Sequence, residues 1–251
     1  MDTQYDVCIV GGGVSGLSAA IFTARAGLET LVVNDGEPIL YRNAHLENFP
    51  GFPAGVDARR LHRQMLAQAE NAGCEFRDAR VTNVRQRESG DGFRVVASLG
   101  AEPGELDVRR VVAASWSDSS YLDETGVELD TRGSKTYVPV DHAGRTDVEG
   151  IYAAGRLADQ YHQAIVCAGH GATVGLTIVH ESNVNFYHDW VTPEGYFTGR
   201  GRDVPPGCEE IDDDERRARD RAARDANAAY TVPLDDEPRM HPSVDLDDGE
   251  D

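Results

Sequence analysis

The stretch Asp6-Val-Cys-Ile-Val-Gly-Gly-Gly-Val-Ser-Gly16 decides the fold. An apolar run meets glycines spaced Gly11-x-Gly13-x-x-Gly16, and an Ala- and Leu-rich stretch then continues to Ala26 before Gly27. The order reads as a buried strand at 5–10, a tight turn, and a helix from Val14 to Ala26 capped at Gly27. A second apolar run, Thr30-Leu-Val-Val33, completes a strand–helix–strand unit. The glycine pattern alone is a weak signal. Between a strand and a helix, in a unit of about 30 residues, it marks a dinucleotide-binding turn. Its glycines allow close approach of a pyrophosphate, and the helix N-terminus offers unpaired N–H groups and a positive dipole end. The acidic residue that usually closes the second strand is replaced by Asn34, with Asp35 next. No arginine stands there to receive a ribose 2′-phosphate, so NADP fits this turn poorly.

Working outward, Asp57 is placed to cap a helix with Leu61, Met65, Ala69 and Ala72 on one face, closed by Gly73. Strands are expected at 74–87 and 93–99 around a turn at Ser89–Gly92, at Val108–Ala114, and at Ile151–Ala154. Ala164 to His180 reads as a long, mostly apolar helix. The class is α/β: a Rossmann-like domain with a parallel sheet, a β-meander insertion and a C-terminal extension. Residues 1–183 form the expected domain and 184–205 an aromatic extension. Residues 206–251 read as an acidic, flexible tail containing an arginine-rich helix at Arg216–Ala229.

Acidic residues number 44 against 24 basic ones, a formal charge of −20, and Lys135 is the one lysine. A surface so acidic and lysine-poor suits solubility in concentrated salt, where charges are screened within a few Å. It excludes nucleic acid as a partner, since phosphate binding needs a basic face. The apolar runs are too short to span a bilayer. Met1 leads almost at once into the first strand, so no signal peptide and a cytoplasmic location are expected. Cys8, Cys74, Cys167 and Cys208 include no C-x-x-C pair, so neither a redox dithiol nor a metal site is expected.

Five segments together carry a resemblance. They are Gly11–Ala20, Glu47-Asn-Phe-Pro-Gly-Phe52, Glu124-Thr-Gly-Val-Glu-Leu-Asp130, Val148-Glu-Gly-Ile-Tyr-Ala-Ala-Gly155, and Gln163-Ala-Ile-Val-Cys-Ala-Gly-His-Gly171. In this order, residues 5–113 and 123–180 resemble the FAD domain of the low-molecular-weight thioredoxin reductases, in the pyridine nucleotide-disulfide oxidoreductase superfamily. That family inserts an NADPH domain with a C-x-x-C pair between the two halves. Here Val111 to Leu122 runs straight from one half into the other, with no second glycine fingerprint.

The resemblance implies FAD as cofactor. It places Gly11, Gly13, Ser15 and Gly16 at the pyrophosphate, Asn34 and Asp35 at the adenosine ribose, and Val81 at adenine. Asn48 falls near the ribityl or flavin portion, Gly155 and Arg156 beside the ribityl-pyrophosphate segment, and Gln163 and Ala164 at the pyrimidine edge of the flavin. A helix N-terminus there stabilises the negative charge of a reduced flavin. Two positions depart from the family: Arg156 replaces an acidic residue, and His162 replaces an arginine.

No catalytic residue is fixed by this pattern. Cys167, near the start of a helix, is a candidate reactive thiol set against plain core packing. His45 and His170 are candidate proton donors set against structural roles. The aromatic stretch Phe186–Phe197 is expected to cover the flavin face that the absent domain would shield, from this chain or from a partner in a homodimer. The function that follows is a flavoprotein oxidoreductase fed by an electron-donor protein or a small thiol. The alternative is a non-catalytic flavin- or nucleotide-binding module for redox sensing or assembly; NAD binding at the glycine turn is weaker still.

Overall fold

In chain order the elements are β1 (Tyr5–Val10), α1 (Val14–Arg25), β2 (Thr30–Asn34), α2 (Ala58–Asn71), β3 (Glu75–Asp78), β4 (Arg80–Gln86), β5 (Phe93–Leu99) and β6 (Glu102–Ala113). There follow β7 (Asp130–Arg132), β8 (Lys135–Tyr137), β9 (Ile151–Ala153), α3 (Ala164–His180), β10 (Trp190–Pro193), β11 (Cys208–Ile211) and α4 (Asp213–Ala228). This computed structural model describes residues 4–99, 102–116, 118–232, 234, 237–241 and 243–244. The expected acidic tail therefore lies partly outside the described residues.

A seven-stranded sheet runs β3-β2-β1-β6-β5-β4, with β9 also on β6. The long β6 belongs to two systems. Its second half pairs parallel with β1 and β9, and its first half pairs antiparallel with β5. The parallel half is the Rossmann-like sheet, and β4-β5-β6 is the meander. Both faces of the parallel half are covered, which explains why β1 and β2 read as unbroken apolar runs. Val7, Ile9 and Val32 face the helices, while Cys8, Val10, Leu31 and Val33 face the meander side. Each fully buried aliphatic side chain of this size contributes roughly 1.5–3 kcal/mol.

The strand expected across 74–87 is two strands. They part at Ala79, whose N–H makes the last bond of the β2–β3 ladder, to the Asn34 carbonyl at 3.0 Å. The chain there leaves parallel pairing with β2 and enters antiparallel pairing with β5. The β6 strand also begins earlier than Val108, because the hairpin with β5 extends it back to Glu102. The short β7–β8 hairpin carried no sequence signal strong enough to be read, each strand having three residues.

The helix ends follow local rules. At the end of α1, Gly27 N–H bonds the Ala24 carbonyl at 2.8 Å and Leu28 N–H bonds Thr23 at 3.1 Å, a Schellman closure. At the start of α2, Asp57 accepts from the N–H groups of Arg59 and Arg60, as its position foretold. The arginine-rich helix begins before Arg216, because Asp212 caps it and Asp213, Asp214 and Glu215 favour its positive end.

The aromatic extension docks beside α1, where Asp189 pairs with Arg25. Phe186 packs on the helix-side core. Trp190 meets Tyr196 and Phe197 edge-on at centroid distances of 4.9 and 6.1 Å. β10 pairs with β11 across the division expected at 205/206, so the extension and the start of the acidic region share a small sheet. Desolvation opposes ionisation of Glu210, yet hydrogen bonds from Thr198, Phe197 and Gly195 hold its carboxyl down at about 2.

Helices α1 and α3 meet backbone to backbone. A Cβ at Gly171 would sit 2.0 Å from the Ser15 carbonyl oxygen, whereas one at Gly169 would meet nothing within 4 Å. Within a helix, Gly→Ala ordinarily stabilises by about 0.5–1 kcal/mol. Gly169→Ala is expected to show that gain. Gly171→Ala is expected to destabilise by about 1–3 kcal/mol, because backbone must move. Denaturant titration of the two variants checks this, and equal midpoints would show that the helices do not approach so closely.

Candidate functional site

A cavity of about 740 Å³ opens where the C-terminal ends of β1 and β2 meet the first turns of α1 and α3. The chain builds its floor without side chains. Gly11, at φ 112, turns β1 away from the sheet, and a Cβ there would lie 2.5 Å from the Ala114 carbonyl oxygen. A Cβ at Gly13 would meet nothing within 4 Å, so this residue leaves open space at the cavity wall. Gly16 and Gly155 do not line the cavity. Their absent side chains admit neighbouring groups instead: a Cβ on Gly16 would sit 1.9 Å from the Gly11 oxygen, and one on Gly155 would sit 2.5 Å from Ser15 Oγ. This packing fixes the turn that Gly16 and Gly155 share with Ser15.

The other expected residues do meet around one space. Gly11, Gly13, Ser15, Asn34, Asp35 and Val81 line it on the β2 side, and Asn48, Arg156, Gln163 and Ala164 on the α3 side. Asn48 Nδ2 donates to Gln163 Oε1 at 2.7 Å, tying the 45–48 loop to the start of α3 across 115 residues of sequence. The Asn34 side chain is occupied by the turn itself. Its Oδ1 accepts from Gly12 N–H at 2.7 Å and its Nδ2 donates to the Gly36 carbonyl at 2.6 Å. Asp35 remains as the exposed carboxylate beside it. Arg156 lines the cavity with its guanidinium already engaged, donating to Asp159, the Gln160 carbonyl and Tyr137 Oη, and lying 4.9 Å from the Tyr137 ring centroid.

Among the described α-helices, the two that begin at the cavity lack side-chain caps, unlike α2 and α4. Neither Gly13 before α1 nor Gln163 before α3 makes a capping bond, and neither first turn holds an acidic residue. By contrast, Asp57 caps α2 and Asp212 caps α4. Two uncapped helix starts on one cavity present free N–H donors and two positive dipole ends, a setting for anionic groups.

The catalytic candidates fare differently. Cys167 lines the cavity, but burial pushes its thiol up from the ordinary range, against the lowering expected at a helix start. His45 lines it too, with Nδ1 at 2.8 Å from Glu47 Oε1. His170 does not line the cavity. Its Nδ1 accepts from Gly155 N–H at 3.1 Å, which makes it a brace for that turn. No aromatic from Phe186 to Phe197 lines the cavity either; the segment sits against α1 instead, correcting the expectation that it covers this site within the chain.

Sequence reading missed three groups. Trp116 lines the cavity and packs on His162 at a centroid distance of 4.6 Å. Below the glycine turn, His62 Nε2 donates to the Gly12 carbonyl at 2.8 Å, while Tyr41 Oη donates to His62 Nδ1 at 3.1 Å. His62 falls on the same stripe as Ala58, Met65 and Ala69, where a polar residue at helical spacing was the available signal. Arg59, 3% exposed, pairs with Asp57 and holds the carbonyls of Tyr41 and Asn43, so α2 supports both the turn and the 37–43 wall. Among the described residues no cluster of His, Cys, Asp and Glu is arranged to hold a metal, and no helix is long and apolar enough to cross a membrane.

The parallel sheet, the glycine turn and the uncapped helices define a Rossmann-type dinucleotide-binding domain. Residues 6–40 match the FAD binding domain family, and residues 45–171 match the pyridine nucleotide-disulphide oxidoreductase family. The chain belongs to the pyridine nucleotide-disulphide oxidoreductases, and FAD is the cofactor of this domain. A thioredoxin reductase of Rickettsia conorii is 35% identical over 124 residues, covering 49% of this chain and 38% of that protein. The chain thus spans under two-fifths of that relative's length. A thioredoxin reductase structure from Gloeobacter violaceus superposes with TM-score 0.62 at 16% identity, over 72% of this chain and 96% of that one. The T. acidophilum enzyme gives 0.63 at 16% identity, over 72% and 99%. The cavity fits the cofactor: its size is within the range of small-molecule sites, Gly13 leaves room at the wall, and the donors suit a pyrophosphate.

Burial holds His62 below the usual imidazole range, its bond to Gly12 opposes this, and Arg63 adds to the lowering. A histidine with a depressed folded-state pKa binds fewer protons folded than unfolded, so stability rises with pH across its titration. Its contribution is fully present above about pH 6.5 and is lost as the pH falls from there towards the folded value. Thermal melts at pH 7.5 and 5.5 should show the gap between the natural chain and His62→Gln narrowing at the lower pH. A gap that widens on acidification would contradict a neutral His62.

Proposed function

We propose that this chain is a flavoprotein oxidoreductase, with no NADPH domain between the halves of its FAD domain, whose electrons come from a separate donor, an electron-carrier protein or a small thiol, rather than directly from NADPH. The observation that carries the FAD placement is the pair of uncapped helix starts on one cavity. In this reading Gly13 and Ser15 take the pyrophosphate through backbone N–H groups at the start of α1, beside Gly11, whose own N–H is held by the Val33 carbonyl at 2.8 Å and whose part is to shape the turn. Asp35 takes the adenosine ribose, and Asn34 holds the turn in shape for it. Val81 lies at the adenine. The flavin ring then extends the opposite way, towards Asn48, Gln163 and Ala164, where the α3 dipole favours negative charge on its pyrimidine edge. When bound, FAD supplies two-electron redox chemistry; the chain orients it and limits its access to water.

The donor assignment rests on the join between the two halves. From Ala113 the chain passes through the buried Tyr121 and Leu122 into β7–β8 and back to the sheet at β9. The sequence holds no C-x-x-C pair, and the cavity thiol, Cys167, is pushed up by burial. A dithiol relay has no residues to run on here.

Gly13 supplies the test. A side chain there meets open space, so Gly13→Val is expected to fold, with only the small loss in melting temperature of a poorer N-cap, while filling the pyrophosphate path. The natural chain should bind FAD near stoichiometrically by visible absorbance, and the variant should lose at least tenfold in affinity. Anaerobic NADPH alone should leave the bound flavin oxidised over minutes. Rapid bleaching by NADPH would overturn the donor assignment, and a Gly13→Val variant that binds FAD normally would overturn the pyrophosphate placement.

A further inference from the structure

Two described residues other than glycine have a left-handed backbone, Trp116 at φ 64 and Asp159 at φ 57. Aspartate adopts this region readily, but for a side chain as bulky as tryptophan it is an outlier that persists only where the surroundings impose it. The surroundings here are specific. Ser115 Oγ gives its one proton to the Asp118 carbonyl at 2.6 Å, so Tyr121 Oη is the donor in its 2.7 Å bond to Ser115 Oγ. Tyr121 is itself fixed, with 1% of its surface exposed. The strained turn delivers the indole to the cavity wall and sets it on the His162 ring. His162 is next to Gln163, at the α3 end of the cavity. Burial, then Arg156 and Lys135, lower the His162 pKa and favour its neutral ring, a plane that packs without carrying charge.

We propose that Trp116, backed by His162, stacks on the isoalloxazine ring of the bound flavin and closes that end of the cavity to water. The inference rests on the FAD placement proposed above. It assigns to one strained side chain at the join the covering role that the Phe186–Phe197 segment does not fill within this chain. The other aromatic on the cavity wall, Tyr121, is buried with its hydroxyl engaged, which leaves Trp116 as the wall residue with an indole to offer a flat ligand. A stacked indole transfers an electron to an excited flavin and quenches its emission, so the contact has an optical signature that a purely structural residue lacks.

The experiment uses the full chain loaded with FAD, comparing Trp116→Phe, Trp116→Leu and Trp116→Gly with the natural protein. Flavin emission should rise at least fivefold in each variant, because none retains the indole. Iodide should quench the Leu and Gly variants most. FAD dissociation should be slowest in the natural chain, intermediate in Trp116→Phe, and fastest in Trp116→Leu and Trp116→Gly. The left-handed φ suits glycine, so apo Trp116→Gly should melt no lower than the natural chain, separating loss of stacking from unfolding. Unchanged emission with FAD still bound would overturn the stacking while leaving the cofactor placement intact. Tighter FAD binding by Trp116→Gly would overturn it differently, by showing that the indole occupies the space of the ring. Failure of the natural chain to bind FAD would overturn the placement and the stacking together.

Discussion

Close approach of backbone to backbone around Ser15 is the constraint on which the site depends. Glycines from separate parts of the chain make it possible. Gly16 admits the Gly11 carbonyl, Gly155 admits the Ser15 hydroxyl, and Gly171 admits the Ser15 carbonyl; a Cβ at any of the three would come within 2.5 Å of the group it admits. The end of β1, the first turn of α1, the turn after β9 and the middle of α3 therefore converge around Ser15. This convergence aims α1 and α3 at the same cavity. Gly16 and Gly155, which by sequence invite ligand contact, serve the packing; Gly13, which packs against nothing, faces the space.

Much of the fold was legible because periodicity and punctuation agree. The unbroken apolar runs of β1 and β2 announced strands buried on both faces, and Asp57 and Gly73 bounded α2. Most of the cofactor wall was legible too, because the glycine turn and the Gln163-Ala164 helix start are local features tied to local chemistry. What escaped depended on distance in sequence. Nothing near Ala79 tells that pairing passes there from β2 to β5, which is what divides β3 from β4. Nothing near Trp190 tells that its strand will pair with Cys208–Ile211. The expectation that Phe186–Phe197 covers the flavin from within the chain failed because aromatic content states that a surface will be covered and not which one. Its position was set by Asp189 on Arg25 and by Phe186 on the core, both long-range contacts.

The polar support of the turn shows how a helix can serve a site it never touches. α2 contributes no side chain to the cavity wall. It nevertheless holds the Gly12 carbonyl through His62, and the Tyr41 and Asn43 carbonyls through Arg59. Each is a buried donor matched to a backbone acceptor in a loop that would otherwise turn that acceptor to water. Removing one partner of such a bond leaves the other unsatisfied, at about 1–3 kcal/mol. The rigidity of the turn is therefore drawn from α2, while its shape comes from its glycines.

The uncapped helices tie stability to the ligand. A good cap is worth about 0.5–2 kcal/mol, and Gln163 offers none to α3. Gly13 costs α1 less, since glycine at a cap loses only a few tenths. A cap at either place would occupy the N–H groups that an anion needs, so the missing caps and the binding capacity are one feature. A ligand present at a hundred times its dissociation constant restores about 2.7 kcal/mol by linkage, which exceeds what the missing caps cost. The strained φ of Trp116 follows the same logic, as a local cost that the surrounding bonds of Ser115 and Tyr121 sustain at the wall of the cavity and not in the core. The uncapped start of α3 and the left-handed Trp116 thus mark the cavity from outside the glycine turn, while α2 and α4 keep their caps.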